Sequence, residues 1–160
     1  MAIEGLRRAI EPAIRRVLHL YWRFARGMTL GVRAIVVNES GEVLLVEHSY
    51  VTGWHLPGGG VETGETVEEA LARELLEEGG VTLLAPPVLH GIFFNAHVSR
   101  RDHVAVFIVR AFRKEGGPLH PSEIIDHGFF PPAALPEGAT RGTRARLAEA
   151  LNGAPLSQRW

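Results

Sequence analysis

The sequence contains no cysteine. Disulfide bridges, thiolate metal ligands and thiol nucleophiles are therefore excluded, and a reducing compartment, the cytoplasm, is the expected location. No uninterrupted apolar run approaches the roughly 18 residues that a membrane span requires. The amino-terminal stretch lacks both the continuous apolar region and the small-residue cleavage site of a secretory signal. Net charge is only −1, so no global basic field argues for a stable nucleic-acid partner. Internal repeats and low-complexity tracts are also missing. What is present is a chain of 160 residues, 46% apolar and 22% charged, a length and composition that suit one domain with a sizeable core.

Residues 1–27 differ from the rest. Ile3, Leu6, Ile10, Ala13, Val17, Leu20 and Phe24 recur at alternating steps of three and four, which predicts an amphipathic helical extension interrupted or begun near Pro12. Arg7, Arg8, Arg15, Arg16, Arg23 and Arg26 outnumber Glu4 and Glu11, so the extension is basic. Three readings are open: packing on its own domain, which is preferred, a homodimer contact, or peripheral contact with an anionic membrane surface through residues 3–26. Residues 28–160 form the expected domain.

From Thr29 the pattern becomes that of strands. Val32, Ala34 and Val36, with Ile35 and Val37 between them, predict a strand buried on both faces. Asn38-Glu39-Ser40-Gly41 predicts a hairpin turn returning through residues 43–46. Strands are expected over 88–95 and 104–112, the second central. A last helix is expected over 140–151 with Arg141, Arg144 and Arg146 facing solvent, and the tail to Trp160 is expected to be loose.

The chemistry concentrates between Gly58 and Val81. A glycine loop feeds a helix whose start carries Thr66 and Glu69 at capping-box spacing, and Gly79-Gly80 offers a left-handed stop. Val67, Ala70, Leu71, Leu75 and Leu76 supply one buried stripe. Glu74, Glu77 and Glu78 stand at i, i+3 and i+4, so their carboxylates leave neighbouring turns on one side. Such a face is either a solvated acidic surface or a set of hard oxygen donors for a divalent cation, with a glycine loop beside it able to approach the same ion or a phosphate.

Gly59, then Glu65, then Arg73-Glu74-Leu75-x-Glu77-Glu78-x-Gly80-Val81 resembles a complete Nudix box over residues 59–81, with every defining position filled. The flanking Trp54-His55-Leu56-Pro57, Phe129-Phe130-Pro131 and Leu135-Pro136 are similar to the same superfamily. The resemblance implies an α/β/α sandwich around a mixed β-sheet, with the box helix on one face and the last helix on the other. It implies a pyrophosphohydrolase dependent on Mg²⁺ or Mn²⁺, in which water attacks one phosphorus of a nucleoside diphosphate linked to another group. Substrates in view are ADP-ribose or another nucleotide derivative, or a nucleoside triphosphate. By motif position Glu74, Glu77 and Glu78, with the carbonyl of Gly58, are the implied metal ligands, and Glu65 and Arg73 would brace the loop. The box does not decide the general base, which relatives draw from different places; for an extra ligand or base, Glu123 is the first candidate and Asp126 the second.

Outside the box, Arg100 and Arg101 are candidate diphosphate contacts by guanidinium geometry, or simply solvated loop charges. His48 and His55 either touch phosphate or base or are satisfied locally. Two other functional readings stand beside hydrolysis: a nucleotide-binding sensor of the same fold without turnover, and a membrane-tethered hydrolase of lipid-linked diphosphates.

Overall fold

The computed structural model describes residues 11, 14–18, 21, 22 and 24–160. Its centre is β1 (Thr29–Val36), which runs parallel to β6 (Asp102–Val109); β5 (Val88–Phe94) pairs antiparallel with the far edge of β6. The sheet is therefore mixed, as expected. Side chains alternate across it with the period of two that a pleated strand imposes. Val32, Ala34 and Val36 join Ala105, Phe107 and Val109 under Ala70, Leu71 and Leu75 of helix α1 (Val67–Gly79). Ile35, Val104 and Val106 face the other way, with Phe93 of β5, toward Leu147 of helix α2 (Arg141–Asn152). One helix covers each face, which makes an α/β/α sandwich.

The predicted hairpin is corrected. Its turn forms, with the Gly41 N–H donating to the Asn38 carbonyl and the Asn38 N–H to the Glu42 carbonyl, each at 3.0 Å, but beyond it the two arms share a single bridge, between Val37 and Val43. Strand β2 (Val43–His48) pairs instead with β3 (Trp54–His55) and with β8 (Ile124–Phe130). The reason lies on the edge of β1. Val32 N–H donates to the Gly59 carbonyl, Ala34 N–H to the Pro57 carbonyl and Val61 N–H to the Leu30 carbonyl, each at 2.9 Å. The glycine loop thus occupies the edge that β2 would otherwise take.

Two further expectations change. The strand expected over 104–112 ends at Val109, and the chain resumes as β7 (Phe112–Lys114), paired with β4 (Val81–Leu83) and stacked on Phe129. The tail is not loose. Phe94 N–H donates to the Gln158 carbonyl at 2.9 Å and Trp160 N–H to the Phe94 carbonyl at 3.1 Å, so the tail extends the β5 edge. Arg146 does not face solvent: it is 1% exposed, with its guanidinium 3.9 Å from the Phe93 ring centre and donating to Glu149 at 2.6 Å and to the Arg159 carbonyl at 3.0 Å.

In the amino-terminal extension, positions 14–18, 21, 22, 24 and 25 are helical. Packing of this seam on its own domain finds no support in its described members, since Val17 and Phe24 are 67% and 70% exposed. Ile3, Leu6, Ile10, Ala13 and Leu20 lie outside the described residues, as do Glu4, Arg7, Arg8, Pro12 and Arg23. Among the described residues, no helix is long and apolar enough to cross a membrane.

Candidate active site

The box helix is fixed at both ends. The Thr66 hydroxyl accepts the Glu69 N–H at 3.2 Å, and the Glu69 carboxylate accepts the Thr66 N–H at 2.8 Å, a reciprocal pair that satisfies two otherwise orphaned donors. At the other end Gly80 adopts the left-handed conformation with φ 61°, and a Cβ there would overlap the Glu115 carbonyl. With the ends held, the apolar stripe sets the rotation of the helix. Ala70, Leu71 and Leu75 are buried; Leu76 is exposed, so it is outside the stripe. Glu74, Glu77 and Glu78 then face the glycine loop.

The loop fits only as glycine at Gly58 and approaches the helix closely at Gly59. Gly58 has φ +138°, and a Cβ would run into the Val32 carbonyl; one at Gly59 would overlap the Glu74 carboxylate. The Gly58 N–H donates to Glu78 Oε2 at 2.8 Å. Arg73 ties the loop to the helix: its Nε and Nη2 reach the two Glu65 oxygens at 2.7 and 3.0 Å, Nη2 also reaches the Gly60 carbonyl at 3.1 Å, and Nη1 reaches Glu74 at 2.7 Å. Arg73 and the Glu62 N–H together hold the Glu65 carboxyl at about 2. Glu65 and Arg73 therefore form an ion pair that joins the loop to the helix.

The loop residues 58–60 line a cavity of about 240 Å³, with Glu74, Glu77, Glu78 and Glu123 as its acidic members and Arg33, Tyr50 and His120 among the rest. Glu78 is 8% exposed, and burial pushes its carboxyl up to about 7, helped by Glu74 and Glu77 and opposed by Arg33 and the Gly58 N–H. His48 is buried beside it, Nε2 lying 3.5 Å from Glu78 Oε1. Burial, with Arg33 adding to it, drives that imidazole down to about 4. His48 is thus neutral near pH 7, and the contact is not an ion pair. Its ring nitrogens have no hydrogen-bond partner among the described residues.

Arg33 links this cavity to a second one of about 380 Å³, which also shares Tyr50 and includes His48, His55, Asn95, Arg141 and Trp160 in its lining. Arg33 Nη1 and Asn95 Oδ1 are buried and have no hydrogen-bond partner among the described residues. Asn95 Nδ2 donates to Asp102 at 2.8 Å, which leaves that oxygen as the unused acceptor.

The structure thus brings Gly58, Glu65, Arg73, Glu74, Glu77, Glu78 and Glu123 to one place. It does not bring Asp126, whose carboxylate accepts the His127 N–H and which lies opposite Glu47 in the β2–β8 ladder. Arg100 and Arg101 are exposed in the loop before β6 and line neither cavity. The cation at the site is Arg33, which sequence reasoning passed over, along with Tyr50 and His120. A signal existed: Arg33 is the one charge in a strand otherwise apolar or small.

Glu74, Glu77 and Glu78 offer the hard oxygen donors that suit Mg²⁺ or a similar divalent ion. As they stand, no three histidine, aspartate or glutamate side chains among the described residues are gathered closely enough to hold one. Glu74 and Glu77 lie on Arg73 instead, the second at 3.5 Å. The donor set fits such an ion by chemistry, with Arg73 engaging one oxygen each of Glu74 and Glu77.

Among curated relatives, a putative 8-oxo-dGTP diphosphatase of Bacillus subtilis is 54% identical over 52 residues, 32% of this chain and 35% of that protein. An 8-oxo-dGDP phosphatase of Mus musculus is 33% identical over 134 residues, 79% of this chain and 39% of that protein. The chain thus aligns with less than half the length of either relative. Among solved structures, a MutT NUDIX hydrolase from Burkholderia pseudomallei superposes with a TM-score of 0.67 at 29% identity, covering 76% of this chain and 97% of that one. Residues 27–151 match the model of the NUDIX domain family. With the box helix, its loop and the sandwich around them in place, the chain belongs to the Nudix hydrolase family.

Proposed function

We propose that residues 28–160 hydrolyse a nucleoside diphosphate or triphosphate derivative, with water attacking a phosphorus of the anhydride. The carrying observation is a single cavity in which four carboxylates, Glu74, Glu77, Glu78 and Glu123, share the lining with a buried and unpartnered guanidinium nitrogen of Arg33. An anionic substrate meets net repulsion there unless a cation accompanies it, and Arg33 alone offers too little positive charge. Glu74, Glu77 and Glu78, with the Gly58 carbonyl, would hold Mg²⁺ or Mn²⁺. When bound, the ion supplies charge neutralisation on the phosphates and an activated water. Arg33 takes a phosphate oxygen into its unused N–H, Arg73 and Glu65 keep the loop against the helix, and Glu123, outside the Arg73 network, accepts the proton of the attacking water.

For the substrate, the names of both relatives support an oxidised purine nucleotide ahead of ADP-ribose-like compounds. The second cavity supports a purine as well: Trp160 and Tyr50 offer aromatic surface, and Asn95 Oδ1 offers an acceptor for a ring N–H or an exocyclic amine. A nucleotide of this kind and the absence of cysteine agree with action in the cytoplasm. Product release from a panel of 8-oxo-purine di- and triphosphates, unmodified triphosphates, ADP-ribose, nucleotide sugars and dinucleoside polyphosphates tests the reading. Metal-dependent release from an 8-oxo-purine nucleotide above the others is expected. Nucleotide binding without release from any member would favour the sensor reading instead.

A further inference from the structure

The exposed helix ahead of β1 has no role in this chemistry. Ile14, Val17, Leu18, Tyr21 and Phe24 are 50%, 67%, 40%, 63% and 70% exposed. Val17, Tyr21, Phe24 and Ala25 line an apolar hollow on the helix surface, and their spacing of four, three and one places them on one stripe. At 3.6 residues per turn, Arg15 and Arg26 stand on the opposite side from Val17, and Arg16 stands beside them. All three arginines are exposed. The sequence upstream continues the apolar spacing through Ile10, Leu6 and Ile3 and adds Arg7 and Arg8. Positive charge is also segregated here: residues 1–27 hold six arginines and two glutamates, in a chain whose net charge is −1, so the remainder is net acidic.

We propose that this helix lies in the surface of an anionic lipid bilayer, its Val17–Tyr21–Phe24 stripe among the acyl chains and its arginines on the headgroups. An apolar stripe backed by a basic face is what an interfacial helix needs, and it differs from a span in its low overall hydrophobicity. Charge complementarity selects this occupant over a second copy of the chain: an anionic bilayer takes the stripe and the arginines together, whereas stripe-to-stripe pairing would leave the arginines on the far side without a counter-charge. The domain would then work at the membrane face. The inference does not depend on which nucleotide is hydrolysed.

Cosedimentation of the full chain with phosphatidylcholine vesicles, with and without phosphatidylglycerol, tests it. The protein should partition onto the anionic vesicles at least about tenfold better than onto the neutral ones, and added salt should weaken this. Val17→Asp with Phe24→Asp should abolish binding, and Arg15→Gln with Arg16→Gln and Arg26→Gln should reduce it about tenfold. Neither set touches the active site, so thermal unfolding and turnover in solution should match the parent. If the aspartate variant fails to fold, the glutamine variant carries the test alone. Equal partition onto both vesicle types, no partition at all, or aspartate and glutamine variants that bind like the parent would overturn the proposal. So would a dimer, seen by sedimentation velocity, that these variants dissolve while vesicles capture nothing.

Discussion

Arg33 sits in β1 between Val32 and Ala34, both fully buried, with one guanidinium nitrogen sealed from water and unpaired. A buried donor without a partner costs the fold its hydration, about 1–3 kcal/mol and more for a charged group. That cost is tolerable where a ligand supplies the acceptor. Arg33→Ala should therefore leave the metal-free fold no less stable in urea, yet lower kcat/KM by roughly 10- to 100-fold, the value of one charge-assisted hydrogen bond. A large loss of stability with activity intact would assign Arg33 to the scaffold. Glu78 and His48, side by side and buried, bind protons in opposite senses on folding. The folded protein keeps a proton on Glu78 up to about 7, whereas the reference value is 4.5, so stability from this group falls as pH rises through that window. His48 refuses a proton until about 4, against a reference of 6.5, so its contribution rises with pH between those values. The two slopes oppose each other between 4.5 and 6.5. Removing one exposes the other. In EDTA, Glu78→Gln should gain stability with pH between 4 and 6.5, and His48→Gln should lose it between 4.5 and 7. Parallel profiles for parent and both variants in stepwise denaturant titrations would refute the assignment.

At the scale of elements, helix α1 was legible because its determinants are local. Thr66, Glu69 and Gly80 specify its ends within a few residues, and Ala70, Leu71 and Leu75 specify its buried side. Thr66→Ala should cost about 1 kcal/mol in chemical denaturation, while kcat changes far less because Glu74 to Glu78 lie beyond the first turn. A loss of activity in step with stability would show that the cap also positions the carboxylates. The hairpin between β1 and β2 was misread for the opposite reason. Its turn is local, but the partner of each strand is not: residues 57–61 compete for the β1 edge and win it with three backbone hydrogen bonds. The division of 104–112 at Arg110 and Ala111 likewise depends on β4 standing ready to pair with Phe112. Apolar runs record burial and are silent about which sheet buries them.

At the scale of the whole molecule, the box residues were readable in advance, since they sit within one loop and one helix. Arg33, Tyr50 and Glu123 reach the same cavity from separate strands and loops, and only the fold distinguishes them from Arg100 and Arg101. Arg146 hides in the same way. On helix periodicity it belongs to a polar surface, but the tail returns along β5 and encloses it with Trp160 and Glu149. Arg146→Ala leaves the largely buried Glu149 carboxylate with only the Ser157 N–H and His90 as partners and should cost roughly 3 kcal/mol in urea unfolding. Arg146→Met combined with Glu149→Gln should cost clearly less, since no lone charge remains; equal losses would mean that packing, not charge, decides. The carboxylate wall is the proposed seat of hydrolysis. The most direct test titrates Mg²⁺ and Mn²⁺ against turnover of the best nucleotide in the parent and in Glu77→Gln, with thermal unfolding measured in parallel. Turnover should be absent without a divalent ion and fall by roughly 10²- to 10³-fold in the variant at unchanged fold stability. Turnover that survives in Glu77→Gln, or that proceeds in EDTA, would contradict the account.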